Sequence, residues 1–191
     1  MIKLALFLLL NLNYYGMDYI NFEDLLGKHI SVAEEITGND FEEINVNTDN
    51  FEKKQYSIKS NLDDSPFDIR NFYGISFKFL FVQTDKNDTV QSVTVYFHRL
   101  INREFYDAFN EAYGKPSSIL VIEKRTVISE YNGEDEMHGF KQYLRKSELE
   151  LEEGTFEEKP LYIIWQKEKY QIKALLRHEQ NMSEITFSKN K

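Results

Sequence analysis

The sequence predicts an α+β domain, an antiparallel sheet with two short helices packed on one face. Three observations carry this. Aromatic residues make up 15% of the 191 residues, with twelve Tyr and fifteen Phe, and such rings favour the pleated, half-buried surface of a strand. Residues 73–97 alternate side chains on either side of Asp85-Lys86-Asn87-Asp88, which is the pattern of a β-hairpin closed by turn-forming residues. Residues 102–116 read as a bounded helix, opened by Asn102 and closed by Gly114-Lys115-Pro116.

In chain order, residues 21–38 carry Phe22, Leu25, Leu26, His29, Val32, Ala33 and Ile36 at three- and four-residue spacing, a helical period. Gly27 interrupts the first turns, and Ser31 with Glu34 forms a capping-box pattern for a new start. Residues 41–60 hold two weak strands, and Asn61–Pro66 is a loop. The hairpin follows. Its first strand places Ile75, Phe77, Phe79 and Phe81 on one face and Ser76, Lys78 and Leu80 on the other. Its second separates Val93 and Val95 from Thr94 and Tyr96. The next helix shows Phe105, Ala108, Phe109, Ala112 and Tyr113 as its apolar stripe. Three long strand candidates come after it, 119–131, 140–153 and 161–176, the last broken around 166–169. A short loop at His178–Asn181 precedes a final strand at 183–187.

Met1–Lys3 followed by the apolar run Leu4–Leu10 resembles a secretory signal. Asn11, Asn13, Tyr14 and Tyr15 do not match the small residues a signal peptidase prefers. Three readings stand: a signal peptide over 1–16, an extension upstream of a start at Met17, or an ordered apolar strand. The first implies a periplasmic or secreted protein and the second a cytoplasmic one. The apolar run is too short to span a bilayer, which takes about 20 residues. Residues 17–191 read as a single domain. The two halves, 20–100 and 101–188, share one order of elements. Each opens on a helix closed by glycine, at Gly38 and Gly114, and each ends on a hairpin.

The short helix ending in Tyr113-Gly114-Lys115-Pro116, followed by antiparallel strands with one tryptophan, Trp165, near a late strand, resembles small bacterial envelope domains. These are the β-lactamase-inhibitor-protein-like and the outer-membrane-assembly lipoprotein folds. The resemblance covers roughly residues 20–188 in element order alone. The chain departs from the lipoproteins in having no Cys to carry an anchor. The resemblance implies a non-enzymatic module that binds another protein through its sheet.

The chemistry-bearing residues point the same way. With no cysteine, thiolate catalysis and Cys-based zinc are excluded. His29, His98, His138 and His178 lie at no metal-ligand spacing. No serine sits in a nucleophile elbow, and no glycine-rich phosphate loop is present. No cofactor is expected. The alternative is a small enzyme with a carboxylate-based hydrolytic site. Such a site needs two carboxyls whose environments split their pKa values.

Charge is informative. The net charge is -9 and the pI about 5.0, the reverse of what phosphate neutralisation requires, so nucleic acid is not expected as a partner. The acidity is concentrated. Residues 130–158 hold ten acids against Lys141, Arg145 and Lys146. Within them, Ser147-Glu148-Leu149-Glu150-Leu151-Glu152 has a period of two. A strand there puts three glutamates on one face and the leucines on the other. Glu148, Glu150, Glu152 and Glu153, with Trp165, are the candidate residues for binding a basic protein partner. The competing reading is a solvated strand face that discourages edge-to-edge association.

Overall fold

A computed structural model describes residues 21–37, 40–44, 53–58, 70–77, 79–135 and 140–190. The segment 1–16, Gly38, the loop at Asn61–Pro66 and His138 lie outside them. The described residues form a mostly antiparallel sheet of nine strands with two α-helices. The helices are short, 8 and 11 residues, so the sheet dominates. No helix among the described residues is long and apolar enough to cross a membrane. The chain divides into two compact units, Met1–Val95 with Phe187–Lys191, and Tyr96–Thr186.

In the first unit the expected helix over 21–38 is split. A 3-10 turn covers Phe22–Leu25, and helix α1 covers Ile30–Thr37. Gly27 between them takes φ 78, a left-handed conformation that glycine adopts without a Cβ clash. Its N–H donates to the Val90 carbonyl at 2.8 Å, which ties this corner to the sheet. Glu34 does not close a capping box. Its Oε1 accepts from the Phe41 N–H at 3.0 Å, at the start of strand β1. Strands β1 (Phe41–Ile44), β2 (Lys53–Ile58), β5 (Phe79–Asp85) and β6 (Val90–Phe97) are neighbours in that order. A separate two-stranded sheet pairs β3 (Arg70–Phe72) with β4 (Ile75–Phe77). Phe22 is the hub of this core, with ring centroids 5.1 Å from Phe72 and 5.7 Å from Phe187.

The predicted single strand from Tyr73 to Val82 is corrected here. It is two strands, and the buried face changes phase between Phe77 and Phe79. Ile75 and Phe77 are buried, then Leu80 and Val82, while Phe79 is exposed. A shift of one residue moves every later side chain to the opposite face. The turn after β5 is as expected. Asp85 Oδ1 accepts from the N–H groups of Asn87 and Thr89, and Asp88 takes φ 59. Asp88 then receives the Tyr56 hydroxyl at 2.6 Å and the Lys54 ammonium at 2.8 Å from β2.

In the second unit, helix α2 (Arg103–Tyr113) forms where the sequence places it. Asn102 Oδ1 accepts from the Phe105 N–H at 2.9 Å, and Gly114 closes the helix at φ 74. Phe105, Tyr106, Phe109 and Tyr113 are its buried face. The strands are β7 (Ser118–Asp135), β8 (Phe140–Glu153), β9 (Tyr162–Gln166), β10 (Tyr170–Arg177) and β11 (Met182–Lys189, of which Phe187 onward belongs to the first unit), in the order β11-β10-β9-β7-β8. Ile163 and Trp165 on β9, with Ile172 and Ala174 on β10, alternate inward. They are cross-strand partners, Ile172 opposite Trp165 and Ala174 opposite Ile163.

Candidate docking arm and groove

Strand β7 pairs with β9 only over Ser118–Leu120, whereas β8 pairs with β7 from Leu120 to Asp135. Beyond Leu120 the two strands therefore run on as a ribbon with no third strand beside it among the described residues. At about 3.3 Å per residue this arm is on the order of 40 Å long.

Register settles its faces. Glu152, Glu150 and Glu148 stand opposite Val121, Lys124 and Thr126 on one face. Leu151, Leu149 and Ser147 stand opposite Ile122, Arg125 and Val127 on the other. The period of two read from the sequence thus puts the three glutamates together and the leucines together. Lys124 pairs with Glu150 at 2.6 Å, with both side chains more than half exposed. Such a pair is weak and easily exchanged.

Glu153 has a different role. Its carboxylate accepts from Ser118 Oγ at 2.7 Å and from the Ile119 N–H at 3.3 Å, so it pins the root of the arm. Trp165 lies in the core and offers a partner no surface. It is 1% exposed, its ring packs edge-on against Phe109 at 4.8 Å, and its Nε1–H donates to Asn110 Oδ1 and the Gly114 carbonyl. The reason is positional: residue 165 shares the inward face of β9 with Ile163.

The exposed large apolar side chains are concentrated on the arm. Val127, Ile128, Tyr131, Leu149 and Leu151 range from 37% to 60% exposed. Ile128 is the extra residue of one bulge in β7 and Glu123 of another. Such bulges aim side chains away from the regular pleat.

At the base of the leucine face lies an open groove of about 450 Å³. Ile122, Leu149, Tyr162 and Leu175 form apolar walls, and Arg125, Lys159, His178 and Glu179 supply polar groups. Arg125 donates to Glu179 at 2.6 Å, and Arg145 stands 3.9 Å from the same carboxylate. The Arg125 hydrogen bond holds the Glu179 carboxyl below the usual carboxylate range. His178 shares a ring-nitrogen hydrogen bond with the Pro160 carbonyl at 2.8 Å. Lys159 is held left-handed at φ 56 behind a 3-10 turn closed by the Thr155–Glu158 capping box. The groove residues come from the arm, from the turn before β9 and the start of β9, and from the end of β10 and the turn after it. No spacing in the sequence joins them, so only the exposed leucines were visible beforehand. Among the described residues no group of three or more His, Asp or Glu is placed to hold a metal ion. Comparison with protein families, with curated proteins and with solved structures returns no match.

Proposed function

We propose that the chain is a non-catalytic protein-binding module, of the inhibitor, immunity or envelope-associated kind, and that it docks through the β7–β8 arm. The observation that carries this is the set of exposed apolar side chains on a ribbon that covers no core of its own, with Val127, Leu149 and Leu151 on one face of it. Apolar surface left in water is unfavourable, and a patch of it on a polar protein marks an interaction site. The glutamate face beside it favours a basic partner, since complementary charge raises the association rate and suppresses wrong partners. The resemblance in element order to inhibitor-like and assembly domains supports the same reading. Glu179, the one carboxylate lining the groove, is kept ionised by Arg125, which does not suit a general acid.

The test is site-specific photo-crosslinking in the native cell. A crosslinker replacing Val127 or Tyr131 is expected to trap a discrete partner, and one replacing Glu104, exposed on α2, is expected to trap none. Reversal of Glu148, Glu150 and Glu152 to lysine is expected to reduce the yield. Equal crosslinking from arm and helix positions, or a yield indifferent to charge reversal, rejects docking by this arm in its acidic-face form.

A further inference from the structure

Strand β8 ends the sheet of the second unit, and no described strand pairs with its outer edge. An edge strand presents a row of backbone N–H and C=O groups able to template another chain. This edge is regular. Both register shifts of the arm fall on β7, and β8 runs without interruption from Phe140 to Glu153 with no proline in it. Its exposed part reads Glu148-Leu149-Glu150-Leu151-Glu152, with acid on one face and apolar side chains on the other.

We infer that β8 takes an extended segment of the partner protein as an added strand, in which basic and apolar residues alternate over five positions. This rests on the arm being the docking element. Backbone pairing with β8 fixes the incoming chain as a strand, and its side chains then alternate between the same two faces. Lys or Arg at the first, third and fifth positions meets Glu152, Glu150 and Glu148. Apolar residues at the second and fourth meet Leu151 and Leu149. The pattern reads the same in both directions, so either strand polarity satisfies it. The Lys124–Glu150 pair is exposed and exchangeable, so it leaves Glu150 open to an incoming cation.

A second copy of this chain is the other occupant and an outcome of the test: a full chain that sediments as a dimer at the titration concentration, and as a monomer with Lys146→Glu, overturns the basic partner segment. An antiparallel β8–β8 pairing centred on Glu150 sets Glu148 against Glu152 and Glu150 against itself, which is destabilising, whereas the register centred on Ser147 sets Glu148 against Lys146 and Glu153 against Lys141.

The experiment uses the full chain and four fluorescent nine-residue peptides, the first three built from the same residues and the fourth with the core Glu-Val-Glu-Val-Glu. The first has the core Lys-Val-Lys-Val-Lys, and the second has the same residues with the lysines contiguous. The third is the first with every second amide N-methylated on its pairing edge. Anisotropy titrations at low and physiological ionic strength follow each. The alternating peptide is expected to bind at least ~10-fold more tightly than the permuted one, because only alternation keeps both faces in register. N-methylation is expected to remove binding, because it blocks the ladder. On the Glu148→Lys, Glu150→Lys, Glu152→Lys variant, the preference is expected to pass to a Glu-Val-Glu-Val-Glu peptide. If the permuted and N-methylated peptides bind as well as the alternating one, charge alone attracts them and strand addition is wrong. If no peptide binds while crosslinks from Val127 and Tyr131 persist, the docking arm stands and the added strand is overturned. Loss of both results removes both.

Discussion

Replacing Trp165 with phenylalanine separates a core residue from a docking residue. Two terms set the expected cost. The smaller ring leaves a gap against Phe109 and Ile172 in a site that is 1% exposed, which costs about 1–2 kcal/mol. The substitution also leaves Asn110 Oδ1 and the Gly114 carbonyl without their indole donor. An acceptor stripped of its partner costs about 1–3 kcal/mol when buried. Gly114 is exposed and Asn110 half-buried, so water restores part of this and the low end, about 1 kcal/mol, applies. The sum is about 2–3 kcal/mol, or a fall of roughly 5–10 °C in Tm for a chain of this length. Urea and thermal melts followed by far-UV circular dichroism measure it. The wild-type chain has a single tryptophan, so its native fluorescence is expected to be blue-shifted and shielded from acrylamide. The Phe variant, refolded at low temperature, is expected to keep its crosslinks from the arm. Free quenching by acrylamide, or an unchanged melting midpoint with lost partner binding, would refute the core assignment.

Two further outcomes concern the first unit. Asp88 is held below the ordinary carboxylate range by the Lys54 and Tyr56 hydrogen bonds, so it stabilises the fold above the unfolded-state value of about 4 and that contribution is lost as pH falls through the folded value. Asp88→Asn keeps a residue tolerant of φ 59 and is expected to cost ~1 kcal/mol at neutral pH through the charged acceptor lost by Tyr56, a deficit that melts at pH 7 should show and that should shrink progressively as the pH is lowered below about 4. Asp88→Ala adds the left-handed backbone penalty of about 1–2 kcal/mol, and equal melting of the Asn and Ala variants at pH 7 would count against that backbone term. The Thr84 hydroxyl is buried with no hydrogen-bond partner among the described residues, so Thr84→Val is expected to leave stability unchanged or raise it by about 1 kcal/mol in urea unfolding. A loss of that size would show that the hydroxyl has a partner.

Much of this was legible locally. Asn102, Gly114 and Pro116 bound α2 because caps and breakers act on neighbouring backbone. The Glu-Leu alternation at 148–152 declared two faces because a strand has a side-chain period of two. What failed involved relations between distant residues. The phase change between Phe77 and Phe79 follows from β4 pairing with β3 and β5 pairing with β2, which alternation within one strand cannot reveal. A lone tryptophan at the end of an apolar run, just before Gln166-Lys167-Glu168-Lys169, resembles an interface anchor, yet its inward direction is fixed by register with Ile172. The groove was invisible because Arg125, Lys159 and Glu179 meet only once β7, β9 and β10 are assembled.

The distribution of irregularities in the arm bears on its purpose. A two-stranded ribbon is marginal by itself in water, so this one depends on its root. There Glu153 binds Ser118 and the Ile119 N–H, the Gly154 N–H donates to the Ile119 carbonyl, and Arg125 and Arg145 converge on Glu179. Beyond Leu120 both strands have an unpaired edge among the described residues. A protein that needs only solubility breaks such edges with bulges, lysines or proline. The β7 edge is treated in this way, with bulges at Glu123 and Ile128 and with Lys124 and Arg125 between them. The β8 edge is not. It stays regular past Glu148, Glu150 and Glu152, whose charge favours a basic strand. One edge disrupted by bulges and the other left regular is the asymmetry expected of a strand kept for pairing with a chosen partner.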